Sequence, residues 1–302
     1  MKNKAIRKWL CLIFTIPFIL NLQGQGFVKF YGEEDTAQRG HSILKTPDGG
    51  FLLGGNGFID DIDEIMIVKT DSLGNEEWTK FIETPWFPGI IEMEKSINDT
   101  YLIYARTFPT TTDSYQNKIF EINMAGDVLW EQEIDCDCSD IVQSSDGNFV
   151  GVETIFGANF SSDIHINKFD NNGNLIWNIV YDFAEFDEAG QIIQNSDGHF
   201  LISGQIPDLL DSSVPLLLKI DENGNEIWHL SSDSLGSFFI VDMLESQDGS
   251  YILALRKFSG FSQPNGDLIL QRIDEDGEFI WESSIGQPII DENITKIKEA
   301  EN

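Results

Sequence analysis

The chain has 302 residues, with 51 acidic against 19 basic side chains, a net charge of −32 and three cysteines. Nucleic acid and anionic membrane surfaces are poor partners for so acidic a chain, because both need a basic footprint. Three cysteines in a chain of this length exclude a disulfide-built scaffold.

In chain order, the first element is a leader. Lys2, Lys4, Arg7 and Lys8 precede the apolar run "WLCLIFTIPFILNL", which "QGQG" ends. The run has signal-peptide length and is short for a membrane span. Residues 1–25 are expected to be a signal peptide cleaved near Gln25, with an uncleaved N-terminal anchor as the alternative. Cys11 lies inside the run and is not read as a lipid anchor. The mature chain, 26–302, then holds 51 acids against 15 bases. It contains no further run long enough to span a membrane. Export to the extracellular space or cell surface is the expected localisation.

Two phrases recur through the rest. "PDGGF", "INDTY", "SDGNF", "SDGHF" and "QDGSY" place an aromatic at Phe51, Tyr101, Phe149, Phe200 and Tyr251, at spacings of 50, 48, 51 and 51. "KTDSLGNEEW", "EINMAGDVLW", "KFDNNGNLIW", "KIDENGNEIW" and "RIDEDGEFIW" end on Trp78, Trp130, Trp177, Trp228 and Trp281, at spacings of 52, 47, 51 and 53. A fixed period near 50 marks stacked repeats. Each repeat reads as four short strands a–d. A D-G turn joins a to b, and a D-x-x-G turn joins c to d. The predicted fold is all-β: a single β-propeller domain of five full four-stranded blades over about 40–82, 90–134, 139–181, 190–232 and 240–285, plus a partial sixth. The five tryptophans are read as blade-docking contacts, with Trp130, Trp177 and Trp228 largely buried between blades.

The ends echo the repeats. "FVKFY" (27–31) resembles a strand d and "DENITKIKEAEN" (291–302) a strand a. Residues 27–31 and 292–299 are expected to be strands of the sixth blade. Its strands b and c are missing, and the expectation is a chain cut short there.

The D-G-x-[FY] turn with D-x-x-G-N-x-x-W resembles the repeats of secreted bacterial β-propellers, often type IX secretion cargo. It is also similar to the tryptophan-docking repeat of quinoprotein dehydrogenases. The resemblance covers about residues 40–285 and implies the architecture. Quinoprotein-like catalysis would need a vicinal cysteine pair and a calcium cluster, neither of which the sequence presents.

Strand order puts the short a–b and c–d turns on one face and the variable b–c and d–a loops on the other. Variable loops on a rigid repeat are where binding normally lives. Candidate ligand-binding residues there are the aromatics Trp86, Phe87, Phe108, Tyr115, Phe160, Tyr181 and Phe183, with Phe186 and Phe261. The accompanying carboxylates are Asp60, Asp61, Asp63, Asp182 and Asp187, with Glu185. Aromatics beside carboxylates suit a glycan or a protein partner. The competing reading is that half of the rings tuck back into the blades.

Other motifs are weaker. Lys69, Lys168, Lys219 and Arg272 recur before the turn Asp, with Glu121 breaking the series, and are read as blade-to-blade ion pairs. Cys136 and Cys138 in "DCDCSD" are read as a loop without chemistry, a C-x-C bridge being strained. His41, His165, His199 and His229 form neither a zinc site nor a triad. No metal site and no resident cofactor are expected. Calcium is the one candidate, because the D-x-[DN]-x-G turns resemble calcium loops, yet they lack the 12-residue spacing and terminal Glu. The functional expectation is a secreted or cell-surface recognition scaffold for glycan or protein rather than an enzyme. The alternative is a propeller enzyme, a glycoside hydrolase or quinoprotein-like oxidoreductase, with carboxylates at the channel mouth; no catalytic residue is assigned.

Overall fold

Both recurring phrases form tight turns. Gly49, Gly147, Gly198 and Gly249 in the first phrase, and Gly74, Gly126, Gly173, Gly224 and Gly277 in the second, have φ between 72° and 87°. That region carries no steric penalty only for glycine. In the second repeat Asp99 takes the glycine position at φ 59°, which a short polar side chain tolerates.

The computed structural model describes residues 29–32, 38–59, 62–84, 88–107, 116–157, 161–207, 213–231, 238–257, 268–285 and 296–298. Between the turns lie twenty strands in five sheets. The first blade is β1 (Gln38–Lys45), β2 (Phe51–Ile59), β3 (Ile62–Thr70) and β4 (Glu76–Ile82). The second is β5 (Pro88–Lys95), β6 (Tyr101–Thr107), β7 (Gln116–Ile122) and β8 (Val128–Ile134). The third is β9 (Asp140–Gln143), β10 (Phe149–Phe156), β11 (Ser162–Phe169) and β12 (Leu175–Tyr181). The fourth is β13 (Glu188–Gln194), β14 (Phe200–Pro207), β15 (Ser213–Ile220) and β16 (Glu226–Leu230). The fifth is β17 (Phe238–Glu245), β18 (Tyr251–Lys257), β19 (Leu268–Ile273) and β20 (Phe279–Ile285). Each sheet is an antiparallel meander, and the five form a ring, a β-propeller, with no helix among the described residues. The first strands of successive blades pack together and line the centre, while the fourth strands stand outermost.

The core lies between blades. Leu52, Ile65 and Ile67 of the first blade cluster with Met93, Ile103 and Phe120 of the second. Val152, Ile164 and Ile166 of the third meet Ile202, Leu216 and Leu218 of the fourth.

The tryptophans are half-buried, less than expected for core residues. The physical reason is their place on the outermost strand, whose outer side faces water. For Trp78, Trp177 and Trp228 the docking partner is the c–d turn of the next blade. A Cβ on Gly126 would come within 2.6 Å of the Trp78 ring, and one on Gly224 within 3.4 Å of Trp177 and 2.1 Å of Ile179. Trp228 Nε1 donates to Glu275 O in the following turn at 3.2 Å.

The recurring cations form their ion pairs within a blade, which corrects the sequence reading, although Lys219 Nζ also donates to Glu275 O of the next blade at 3.3 Å. Each sits directly across from its tryptophan at a β-bulge, as Lys69 does opposite Trp78. Its ammonium reaches back to the a–b turn of the same sheet. Lys69–Asp48 and Lys168–Asp146 are 2.8 Å apart, Lys219–Asp197 3.4 Å and Arg272–Asp248 2.6 Å. In the second blade the turn has Asn98 in place of the Asp, and the cation position is Glu121. Its carboxylate instead accepts from Thr100 Oγ1 and Trp130 Nε1. The partner swap keeps the buried group satisfied.

Cys136 and Cys138 form a disulfide with Cα atoms 5.2 Å apart, correcting the expectation of a loop without chemistry. Residues 135–139 are not a strand, so the extended spacing that would strain a C-x-C bridge does not apply. Both sulfurs are buried in the core between the second and third blades.

Of the expected end strands 27–31 and 292–299, residues 29–31 and 296–298 are in no strand, and residues 27–28, 292–295 and 299 lie outside the described residues. Ile297 N donates to the Asp242 carboxylate. The ends nonetheless repeat the contacts used between blades. Tyr31 OH donates to Gly74 O at 2.8 Å, as Tyr181 OH does to Gly224 O at 2.7 Å, each across 43 residues. Ile297 N meets Asp242 as Ile192 N meets Asp140.

Two substitutions separate docking from backbone strain. Gly224→Ala should cost roughly 2–4 kcal/mol, from left-handed strain plus overpacking. Gly198→Ala has the same kind of φ but open space around it, and should cost only about 1–2 kcal/mol. Urea denaturation checks both. Equal losses would remove the docking role of the c–d turn. Trp177→Ala should cost about 2 kcal/mol, below the roughly 3–5 kcal/mol of a fully buried ring.

Candidate functional site

Two places gather side chains with chemistry. The first is the central channel. The inner strands carry a polar residue at one repeated step, four before the small residue that opens the a–b turn: Ser42, Glu92, Asp140, Gln191 and Asp242. In the first, second and fifth blades a β-bulge falls just before it, and bulges re-aim the side chain that follows. Ser42 Oγ accepts from Met93 N at 3.3 Å, and Asp140 Oδ2 accepts from Ile192 N at 2.9 Å. The repeated polar position thus ties the inner strand of one blade to the next.

Glu92, Glu94, Asp140, Gln191, Asp242 and Lys296 line a cavity of about 320 Å³. Lys296 Nζ lies 2.7 Å from Glu92 Oε2. Glu94 Oε1 accepts from Gln143 N at 2.7 Å and from the buried Tyr104 hydroxyl. Burial pushes the Glu94 and Asp140 carboxyls up to about 7, and the neighbouring Glu92 charge adds to the rise. Burial also raises Asp242.

The second place is on the face formed by the b–c and d–a loops. Residues 182–187 run from the third blade to the fourth and fold back on the start of β11. Ser162 N donates to Glu185 O at 3.0 Å, and Asp187 N donates to Ser162 O at 2.8 Å. Asp187 is fully buried. Its Oδ2 accepts from Phe183 N at 2.6 Å and Ala184 N at 3.2 Å, while its Oδ1 has no hydrogen-bond partner. Carboxylate oxygens of Asp163, Asp182 and Asp187 lie within 4.8 Å of one another. Burial raises the Asp187 carboxyl, and repulsion from Asp182 and Asp163 adds to it.

Around this loop the aromatics divide. Tyr181 and Phe183 stack at 5.9 Å, and Phe183 lies 4.9 Å from His229. Both rings pack against the core between the third and fourth blades. Phe156 pairs with Ser162 in the β10–β11 ladder, and Phe186 bridges Ser162 from the other side. These two phenylalanines are 75% and 48% exposed, with Asp182 and Glu185 exposed beside them.

Of the sequence candidates, the structure brings together Asp182 and Asp187, and holds Tyr181 and Phe183 in the blade interface. Trp86, Phe87, Phe108, Tyr115, Phe160, Phe261, Asp60 and Asp61 lie outside the described residues, as does the side chain of Asp63. Sequence reasoning missed Phe156, Asp163 and the channel carboxylates. The channel positions carried a legible signal, a polar residue at constant register in each inner strand. The grouping of Asp163 with Asp182 and Asp187 carried none, because a long-range bridge creates it. The calcium-like turns do not form such a site. In each c–d turn the leading side chain accepts amides of its own turn, as Asp71 does from Leu73 N and Asn75 N, both at 2.8 Å.

The raised channel carboxyls set the sign of a pH effect. The native state keeps these protons up to about pH 7, whereas unfolded Asp and Glu release them near pH 4. Between those limits the native state binds more protons, so this contribution is fully present below about pH 4 and lost as pH rises through 7. The melting temperature should fall between pH 5 and 8, and Asp140→Asn should flatten that slope. A slope unchanged in the variant would mean Asp140 is ionised throughout.

No protein-family model matches the chain, and no curated protein matches it. Solved structures do. The Pan2 WD40 domain of Neurospora crassa is 8% identical with a TM-score of 0.51, over 82% of this chain and 64% of that one. The β-propeller domain of the Trilobed protease from Pyrococcus furiosus is 14% identical, TM-score 0.46, over 78% and 69%. An endo-arabinase from Bacteroides thetaiotaomicron is 13% identical, TM-score 0.44, over 78% and 94%. No helix of the described residues is long and apolar enough to cross a membrane. At these identities the likeness is one of fold, and propellers carry many unrelated activities.

Proposed function

We propose that this propeller is a recognition scaffold, exported or on the cell surface, that binds a glycan or a protein through its b–c and d–a loop face. One observation carries the reading. Phe156 and Phe186 stand exposed on either side of Ser162, on a loop braced against the blade, next to Asp182 and Glu185. Exposed rings on a rigid support bind sugar faces and protein anchors with little ordering cost, and carboxylates beside them orient hydroxyl or amide donors. The acidic surface favours neutral or cationic partners.

A second reading has its own support. Glu94 and Asp140 line the channel with carboxyls that hold protons near neutral pH, the property of a general acid. A glycoside hydrolase reading rests on them.

A glycan array probed with the purified protein, with and without calcium, separates the two. Under the scaffold reading a defined glycan class is retained intact, or a protein partner is captured. Phe156→Ala and Phe186→Ala then each weaken binding about tenfold or more, the effect of removing an aromatic anchor. Cleavage of an arrayed glycan, lost in Asp140→Asn, would transfer the function to the channel. Binding that survives both phenylalanine substitutions would place recognition elsewhere on the ring.

A further inference from the structure

We propose that Asp163, Asp182 and Asp187 bind a divalent cation, Ca²⁺, that locks the loop between the third and fourth blades onto β11. Three carboxylates converge with oxygens within 4.8 Å of one another. Two oxygens sharing one Ca²⁺ at about 2.3–2.6 Å lie at most roughly 5 Å apart, so the spacing is that of a ligand set. None of the three makes an ion pair with a basic side chain among the described residues.

Asp187 makes this more than an acidic patch. It is fully buried, two loop amides fix its Oδ2, and its Oδ1 has no partner. A buried carboxylate oxygen with nothing to bond is costly, and two more carboxylates facing it add repulsion. A cation among the three removes both costs. Other buried carboxylates here find partners in the protein. Glu153 accepts from Asp137 N at 2.9 Å and from Asn167 Nδ2 at 2.6 Å.

The donors select the ion. All three are oxygens, with no His or Cys in the group, which suits a hard cation over zinc or copper. Asp163 is partly exposed and Asp182 exposed, leaving room for water to complete six to eight ligands. The irregular loop geometry fits Ca²⁺, which tolerates varied angles, better than Mg²⁺, which demands a near-ideal octahedron. The site does not depend on what the loop face binds.

Calorimetry on the EDTA-treated full chain tests it, with CaCl₂ alone as the probe and MgCl₂ as comparison. One Ca²⁺ should bind with a dissociation constant of about 1 mM or tighter, raise the melting temperature by several degrees, and compete at least tenfold better than Mg²⁺. Asp182→Asn, on an exposed side chain, should weaken Ca²⁺ tenfold or more without affecting folding. Asp187→Asn keeps an oxygen for the loop amides and should do the same. In calcium-free buffer it should melt no lower than the parent chain, because it removes the repulsion. Asp71→Asn, in a c–d turn, should leave Ca²⁺ affinity unchanged. No heat and no melting shift at 10 mM Ca²⁺ would overturn the assignment, as would binding undiminished in both the Asp182 and Asp187 variants.

Discussion

A four-stranded sheet one layer thick has no core of its own, and in this chain the facing sides of successive sheets from the first to the fifth bury one another. Every other feature answers to that constraint. The blades must meet at the same angle and height, so the contacts that set their meeting repeat around the ring. On the outer side Trp78 and Trp177 lie over the left-handed glycine of the following blade's turn, and Trp228 bonds the backbone of the next such turn. On the inner side a polar side chain of one strand accepts the backbone amide of the next. The first supplies apolar area and the second fixes register along the channel.

The same logic explains the buried cations. A bulge at Lys69, Lys168, Lys219 and Arg272 turns a charged side chain inward, opposite the tryptophan. The side chain is tolerated because a turn aspartate of the same sheet reaches it. Asp48 and Asp146 are held well below the usual carboxylate range, Asp48 chiefly by its bond to Lys69 and Asp146 by its bond to Lys168 against the opposing effect of burial. Each pair therefore ties the a–b turn to the c strand within one sheet.

Much of this was legible in the residues. The turn phrases and their period near 50 gave five blades of four strands. The second blade even announced its altered partner, since Asn98 and Glu121 depart together from the Asp and Lys of the other blades. What stayed hidden was created by contacts between distant segments or by a wrong local geometry. The disulfide escapes a reading that treats Cys136 and Cys138 as strand neighbours, because residues 135–139 belong to no strand and turn the two cysteines inward while Asp135, Asp137 and Ser139 stay exposed. The cations were assigned between blades because sequence spacing alone does not say which way a bulged side chain turns. Asp163 was invisible as a partner of Asp182 and Asp187 until the bridge through Ser162 brought them together.

The contrast between two kinds of aspartate then separates structure from site. Asp71, Asp170 and Asp221 stand in repeated turns, and their oxygens are taken up by amides two and four residues further along their own turns. Their role is complete within about five residues, which is why they recur. Asp187 stands in a loop found once in the chain, and only one of its oxygens is occupied. Repetition marks what the ring needs in order to close, and a buried polar group left over after that need is met has to be answered by something from outside the chain. By that argument the channel carboxylates belong partly to the architecture, because Asp140 spends an oxygen on the next blade, while the spare oxygen of Asp187 is the group for which the proposed cation is the answer.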